Sequence, residues 1–225
     1  MGSSLKVASV YGIEVRIHFS FLLLLAFFGF QSGTLQSVLF ILILFACVLL
    51  HEFGHAFAAR AFGIRTRDIT LYAMGGVARL SRIPDKPWQE LIVAIAGPMV
   101  NVVIYAVLIV FVSHVTAGFQ QFEYLESPRI ELLARVAEAN KFLVFFNLLP
   151  AFPMDGGRIL RALLAMVLPY ARATQIAAWI GQGLAVILAI VGLKYSVLLI
   201  FIAYMVFVGA QQEVAIVKAN RPSPP

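Results

Sequence analysis

Long stretches without a charged residue are the feature of this sequence that most limits its fold. Residues 19–50, 91–122, 173–193 and 195–212 contain no Asp, Glu, Lys or Arg. A helix that crosses the hydrocarbon core of a bilayer needs about 20 mostly apolar residues, so each stretch is long enough for a crossing. Charged residues make up 12% of the 225, whereas about 25% is usual in soluble domains. The chain is therefore predicted to be an integral membrane protein.

The apolar pattern predicts six transmembrane helices. Their ranges are about 17–30, 35–60, 91–122, 130–150, 173–193 and 195–212. The fourth is interrupted at its end by Pro150, Pro153 and the pair Gly156-Gly157. Proline removes a backbone donor, and glycine lets a backbone approach closely, so we expect the chain to unwind and fold back there.

The basic residues predict which side of the membrane each loop faces. Most Lys and Arg residues lie before helix one, after helices two and four, and after helix six, while Arg129 and Lys194 lie in the opposite loops. By the positive-inside rule both termini are cytoplasmic, as an even number of crossings requires. The net charge of +6 is then explained by topology and anionic lipids rather than by a nucleic-acid partner. The predicted location is the cell membrane.

One segment between helices two and three does not have a helical pattern. In residues 64–82, apolar and polar residues partly alternate around Asp68, and Gly75-Gly76 favours a turn. We predict a small β-hairpin at the cytoplasmic membrane surface, with an ordinary basic loop as the alternative. The predicted fold class is thus an all-α polytopic membrane protein with six transmembrane helices and this hairpin between helices two and three.

Helix two carries a metal-binding pattern. His51-Glu52-Phe53-Gly54-His55 places two histidines at positions i and i+4, where they share one face of the helix and can bind one cation. The glutamate beside the first histidine can act on a water molecule without ligating the metal. Because ionisable residues are costly in a membrane helix, three of them in five positions indicate a functional site rather than packing.

A catalytic zinc has three protein ligands, so the pattern needs one more side chain. Other candidates for the third ligand are His18 at the edge of helix one, His114 at the outer end of helix three, and Cys47 in the apolar part of helix two. Asp155 is the preferred candidate because it follows a long uncharged run and lies among prolines and glycines on the cytoplasmic side. The alternative for Asp155 is an ordinary aspartate in a turn.

Three segments together resemble the site-2 protease family of intramembrane metalloproteases. They are HEFGH in helix two, AGPMVN at 96–101 in helix three and NLLPAFPMDGGR from Asn147 onward. The resemblance implies a six-helix fold with a three-helix core, one zinc ion per chain and membrane-spanning substrates. It implies that His51, His55 and Asp155 are metal ligands, that Glu52 is the catalytic base, and that Asn101 and Asn147 lie near the bound substrate.

The resemblance also predicts the organisation of the chain and its partners. Residues 1–225 would form a single transmembrane peptidase domain with a catalytic core at about 35–160. The expected partners are a transmembrane protein or peptide substrate and the lipid bilayer, without nucleic acid. Some family members continue into cytoplasmic regulatory modules, so a cytoplasmic regulatory domain or partner outside this chain is a further expectation.

The alternatives to an intramembrane zinc metalloprotease are a zinc transporter and a catalytically silent membrane scaffold. A zinc transporter would also place His and Asp residues in membrane helices, but it needs polar residues on both sides of the site. The outward half of helix two, LFILILFACVLL, offers no such path. A catalytically silent membrane scaffold would not need Glu52 and Asp155. The sequence therefore favours hydrolysis of peptide bonds near the cytoplasmic side of the bilayer.

Overall fold

The computed structural model describes residues 4–118 and 128–220, which form helices and one small sheet. The elements are β1 (Ser4–Val10), β2 (Ile13–His18), α1 (Phe19–Ser32), α2 (Leu35–Ala61), β3 (Thr66–Tyr72), β4 (Gly75–Leu80), α3 (Pro87–Gly118), α4 (Pro128–Asn147), α5 (Asp155–Ala165), α6 (Tyr170–Tyr195) and α7 (Val197–Asn220). The predicted mostly helical fold with a small amount of β-structure is confirmed.

The predicted number of six membrane helices is not confirmed. Among the described residues, seven helices form, and α2, α3, α6 and α7 are long and apolar enough to cross a membrane. The first predicted segment is shifted along the chain, because residues 17 and 18 belong to β2 and the short apolar helix α1 begins at Phe19. The fourth segment becomes α4, whose first two thirds carry charged residues that include the ion pairs Arg135–Glu131 and Lys141–Glu138.

The β-structure is larger than the predicted hairpin. Strands β3 and β4 form the hairpin predicted for residues 64–82, and β1 and β2 form a second hairpin, so that the sheet has the order β1-β2-β3-β4. The β2–β3 pair is parallel and the other two pairs are antiparallel. Tyr11 and Gly12 connect β1 to β2 with φ angles of 51° and 83°, as a two-residue hairpin turn requires.

The glycine pair in the second hairpin does not form the turn that the sequence suggested. Tyr72 pairs with Gly75, so the turn falls at Ala73-Met74 and the glycines begin β4. Gly76 instead serves close packing, because a Cβ atom there would lie 2.7 Å from Cγ of Glu52. The prediction was wrong because Gly76 makes room for the Glu52 side chain of α2 and does not form a local turn.

The described residues divide into two compact units. The first comprises those up to Ile83 together with Ala96–Val144, and the second comprises Pro84–Ile95 together with those from Phe145 onward. In the first unit, the sheet packs on α2 through a buried cluster. This cluster contains Ile13, Val15, Phe53, Ala56 and Ile69. The sheet is thereby held against the part of α2 that contains HEFGH, because Phe53 of this pattern belongs to the cluster.

In the second unit, the turn that follows α4 packs against small residues of α6 and α7. Phe152 is fully buried against Ala177, Ala178 and Ala210. Alanine and glycine at such contacts let backbones approach closely, which is the usual basis of helix packing in lipid. The helix was predicted to extend to about Pro150 and to unwind from Pro150 to Gly157. In the structure α4 ends at Asn147, and α5 begins at Asp155, so Asp155, Gly156 and Gly157 are helical.

We predict that Gly54→Ala lowers the stability of the protein. A Cβ atom at Gly54 would lie 2.8 Å from the Ala96 carbonyl oxygen and from Cγ2 of Val100, so α2 and α3 would have to separate. Overpacking of this kind costs about 1–3 kcal/mol. Thermal unfolding in detergent should show a clear decrease in Tm. The control is Gly183→Ala in α6, where a Cβ atom meets nothing within 4 Å and Tm should not fall.

Candidate metal centre

The two histidines of the HEFGH pattern converge inside the first unit. His51 and His55 are both 5% exposed, and their Nε2 atoms lie 3.0 Å apart. This is the arrangement that the i, i+4 spacing predicted, with both rings on one face of α2. Two imidazole nitrogens directed at the same point provide the first half of a metal site.

Helix α3 leaves room for the imidazoles at Gly97. A Cβ atom at this position would clash with the His55 ring and would lie 2.8 Å from Nε2 of His51. The next residue is Pro98, which is accommodated inside the helix. The space beside both Nε2 atoms therefore depends on the absence of a side chain at residue 97.

Asp155 lies at the start of α5 in the second unit. It is buried, and it occupies the first turn of the helix, where the helix dipole stabilises a negative charge. Gly156 and Gly157 pack directly on the preceding turn, since a Cβ atom at Gly157 would lie 2.6 Å from the Ala151 carbonyl carbon and the Phe152 nitrogen. The glycines thus fix the position of the first turn of α5, which carries the Asp155 carboxylate.

His51, His55 and Asp155 form a group that could hold a metal ion. Each offers one ligand atom, and all three residues are buried. Two imidazoles and one carboxylate are a usual donor set for catalytic zinc. Within the described ranges, no other candidate from the sequence belongs to the group: His18 caps α1 by accepting from the Ser20 N–H, and His114 and Cys47 lie elsewhere.

Glu52 lies beside this group and is held by the sheet. Its side chain is half-buried, and its Oε2 atom accepts a hydrogen bond of 3.1 Å from the backbone N–H of Ala78 in β4. The carboxylate is therefore oriented by a backbone amide that the sequence analysis did not identify. No local pattern could have indicated it, because the two residues are 26 positions apart.

The two asparagines that the resemblance placed near a substrate differ in environment. Asn101 in α3 is fully buried, and neither of its amide atoms has a hydrogen-bond partner among the residues that the structure describes. It lies one turn after Gly97 in the same helix, and so on the same face. Asn147 is half-buried at the last position of α4. Their roles stay predictions.

Comparison with known proteins identifies the family. The model of Peptidase family M50 matches residues 39–138 and 123–190, which span the HEFGH pattern, α3 and Asp155. This chain belongs to peptidase family M50. A site-2 protease from Methanocaldococcus jannaschii has a similar solved structure, with a TM-score of 0.70, 36% identity and coverage of 94% of this chain and 95% of that one.

Two curated relatives of this M50 chain extend beyond it. A zinc metalloprotease of Methanocaldococcus jannaschii is 38% identical over 98% of this chain and 63% of its own length. Stage IV sporulation protein FB of Bacillus subtilis is 27% identical over 73% of this chain and 52% of its own length. The chain thus spans about half to two thirds of these relatives. The predicted resemblance to site-2 proteases is confirmed, and so is its placement in a zinc metalloprotease family of membrane proteins.

We predict that Gly97→Ala greatly weakens metal binding in this M50 protein. The added methyl group would displace the His55 ring and crowd Nε2 of His51, so the two nitrogens could no longer converge. Metal analysis of the purified protein should find well below one zinc per chain. Gly183→Ala is the matched control and should retain zinc. Full zinc occupancy in Gly97→Ala would contradict the proposed position of the site.

Proposed function

We propose that this chain is an intramembrane zinc metalloendopeptidase of the site-2 protease type, which hydrolyses peptide bonds of membrane-spanning substrates near the cytoplasmic side of the bilayer. The observation that carries the proposal is the convergence of His51 and His55 inside a membrane-length helix, with Glu52 between them. His51, His55 and Asp155 would hold one zinc ion. Zinc, when bound, would polarise the scissile carbonyl and make water more acidic.

Glu52 is proposed as the general base and acid. Its carboxylate accepts a proton as the water oxygen forms a bond to the carbonyl carbon, and it returns this proton to the amide nitrogen as the C–N bond breaks. The Ala78 N–H occupies Oε2, and no other hydrogen bond engages this carboxylate in the described part of the chain. Oε1 is thus the atom proposed to receive the proton.

Strand β4 is proposed to bind the substrate. A transmembrane helix hides its carbonyl groups in its own hydrogen bonds, so it must unwind before cleavage. β4 lies at an edge of the four-stranded sheet, where an extended peptide can be added as a further strand. Its contact with Glu52 through Ala78 would bring such a peptide beside the base. The amides of Asn101 and Asn147 are proposed to contact the same peptide.

The position of the site along α2 supports cleavage near one membrane surface. Arg60 lies five residues after His55, which corresponds to about 7–8 Å at the helical rise of about 1.5 Å per residue. A charged residue at that distance marks the membrane boundary. We further propose that residues 1–225 act as one peptidase domain with a core at about 35–160, and that both termini are cytoplasmic.

The proposal is tested by incubating the purified protein with single-span model substrates. Cleavage should occur, should stop when a chelator removes the metal, and should return when zinc is added. A zinc transporter or a silent scaffold would show no chelator-sensitive cleavage under these conditions.

His51→Ala and His55→Ala should each lose most of the bound zinc, because only two protein ligands would remain. The wild-type protein should contain about one zinc per chain in the same metal analysis. Full zinc retention in both variants would refute the ligand assignment.

Glu52→Gln should retain zinc and lose cleavage by a factor of roughly 10²–10⁴, because an amide cannot accept the proton. Product formation from the single-span substrate and zinc content are measured on the same sample. Turnover close to the wild-type rate would show that the base is another residue.

A further inference from the structure

A buried ionic cluster lies in the second unit and contains none of the proposed catalytic or metal-binding residues. Arg161 of α5 is 3% exposed and donates from Nε to Oε1 of Glu90 at 2.8 Å. Its Nη1 atom donates to Oε2 of Glu213 in α7 at 2.8 Å, and its Nη2 atom lies 2.6 Å from Oε1 of Glu90. One guanidinium therefore joins the first turns of α3, the middle of α5 and α7.

The same guanidinium also covers the turn that precedes Asp155. Its central carbon lies 4.9 Å from the ring centroid of Phe152 and 5.3 Å from that of Tyr170. Phe152 is fully buried and lies three residues before Asp155. Arg161 thus belongs to the helix that begins at Asp155, and it also contacts the turn that precedes Asp155.

The electrostatics favour a permanent cluster. Burial disfavours the charged form of Arg161, but the nearby Glu90, followed by Tyr170 and Glu213, outweighs this effect and raises the pKa of the guanidinium. The planar guanidinium donates to both carboxylates at once, which a lysine ammonium cannot do with the same geometry. A conservative change to lysine would therefore retain the charge but lose the fixed orientation.

Helix α5 needs such external support. It has 11 residues, which is too short for a helix to be stable through its own hydrogen bonds. Its first turn is held by the close contacts of Gly156 and Gly157, and beyond that turn Arg161 provides buried charged contacts to other helices. A ligand must be held to within about 0.5 Å for a metal site to work, so the support of α5 bears directly on Asp155.

We propose that Arg161 is a positioning residue, which through Glu90, Glu213 and Phe152 fixes α5 in the orientation that Asp155 needs to bind the metal. The proposal rests on the proposed function, in which Asp155 is the third ligand. Arg161 itself touches neither metal nor substrate. Its effect is expected in metal affinity and coordination geometry, and not only in the stability of the fold.

The experiment replaces zinc by Co²⁺, whose visible absorption bands respond to the coordination geometry. Full-length protein in detergent is freed of metal and titrated with Co²⁺. Arg161→Lys should bind Co²⁺ about 10-fold more weakly and show shifted absorption bands, since changes to residues that orient ligands weaken metal binding about 10–100-fold. Arg158→Lys is the matched control: it lies in the same helix, is 42% exposed and approaches Glu213 only at 4.0 Å. Its affinity and spectrum should match the wild type.

Two further variants separate the outcomes. Asp155→Asn must itself weaken Co²⁺ binding; wild-type affinity in this variant would overturn the ligand assignment and with it the proposed function. If Asp155→Asn weakens binding while Arg161→Lys keeps the wild-type affinity and spectrum, even with a lower Tm, the positioning role alone is refuted. Should Arg161→Lys fail to fold, Glu213→Gln takes its place, because it retains the Glu90 pair. An unchanged spectrum and affinity in Glu213→Gln would then refute the proposal.

Discussion

The requirement that polar groups in an apolar helix be satisfied by other parts of the protein determines much of this structure. Helix α2 carries two histidines and a glutamate within five positions of a membrane-length apolar segment. In hydrocarbon such groups need partners that lipid cannot supply. The histidines meet each other at 3.0 Å, and the glutamate receives a backbone N–H from the sheet. The sheet beside α2 thus supplies a hydrogen-bond donor to a carboxylate in an apolar helix.

Glycine makes these contacts achievable. Gly76 admits the Glu52 side chain against β4, Gly97 admits both imidazoles against α3, and Gly157 admits the turn that precedes α5. At each position a Cβ atom would come closer to its neighbour than side chains tolerate. The three residues lie on β4, α3 and α5. On each of these elements, the absence of a side chain lets the backbone come close to the groups that it packs against.

Local patterns predicted what depends on local sequence, and missed what depends on distant pairing. The spacing of His51 and His55, the β3–β4 hairpin and the break after Asn147 all follow from neighbouring residues. Apolar and polar residues alternate in 13–17, directly after Tyr11-Gly12, and this is a local signal for strand β2. By contrast, Arg161 pairs with residues 71 and 52 positions away, which no periodicity indicates.

The separation of Arg161 from Asp155 along α5 reconciles two demands on one short helix. In the proposed function Asp155 binds a metal cation, and an arginine paired with its carboxylate would compete with that cation. Six residues at about 100° each turn the helix by about 600°, which places the two side chains about 120° apart. Arg161 can therefore bind Glu90 and Glu213 on one side of the helix, while Asp155 lies on another side, in the first turn, where the helix dipole favours a negative charge. This arrangement supports the helix without pairing Arg161 with the proposed ligand.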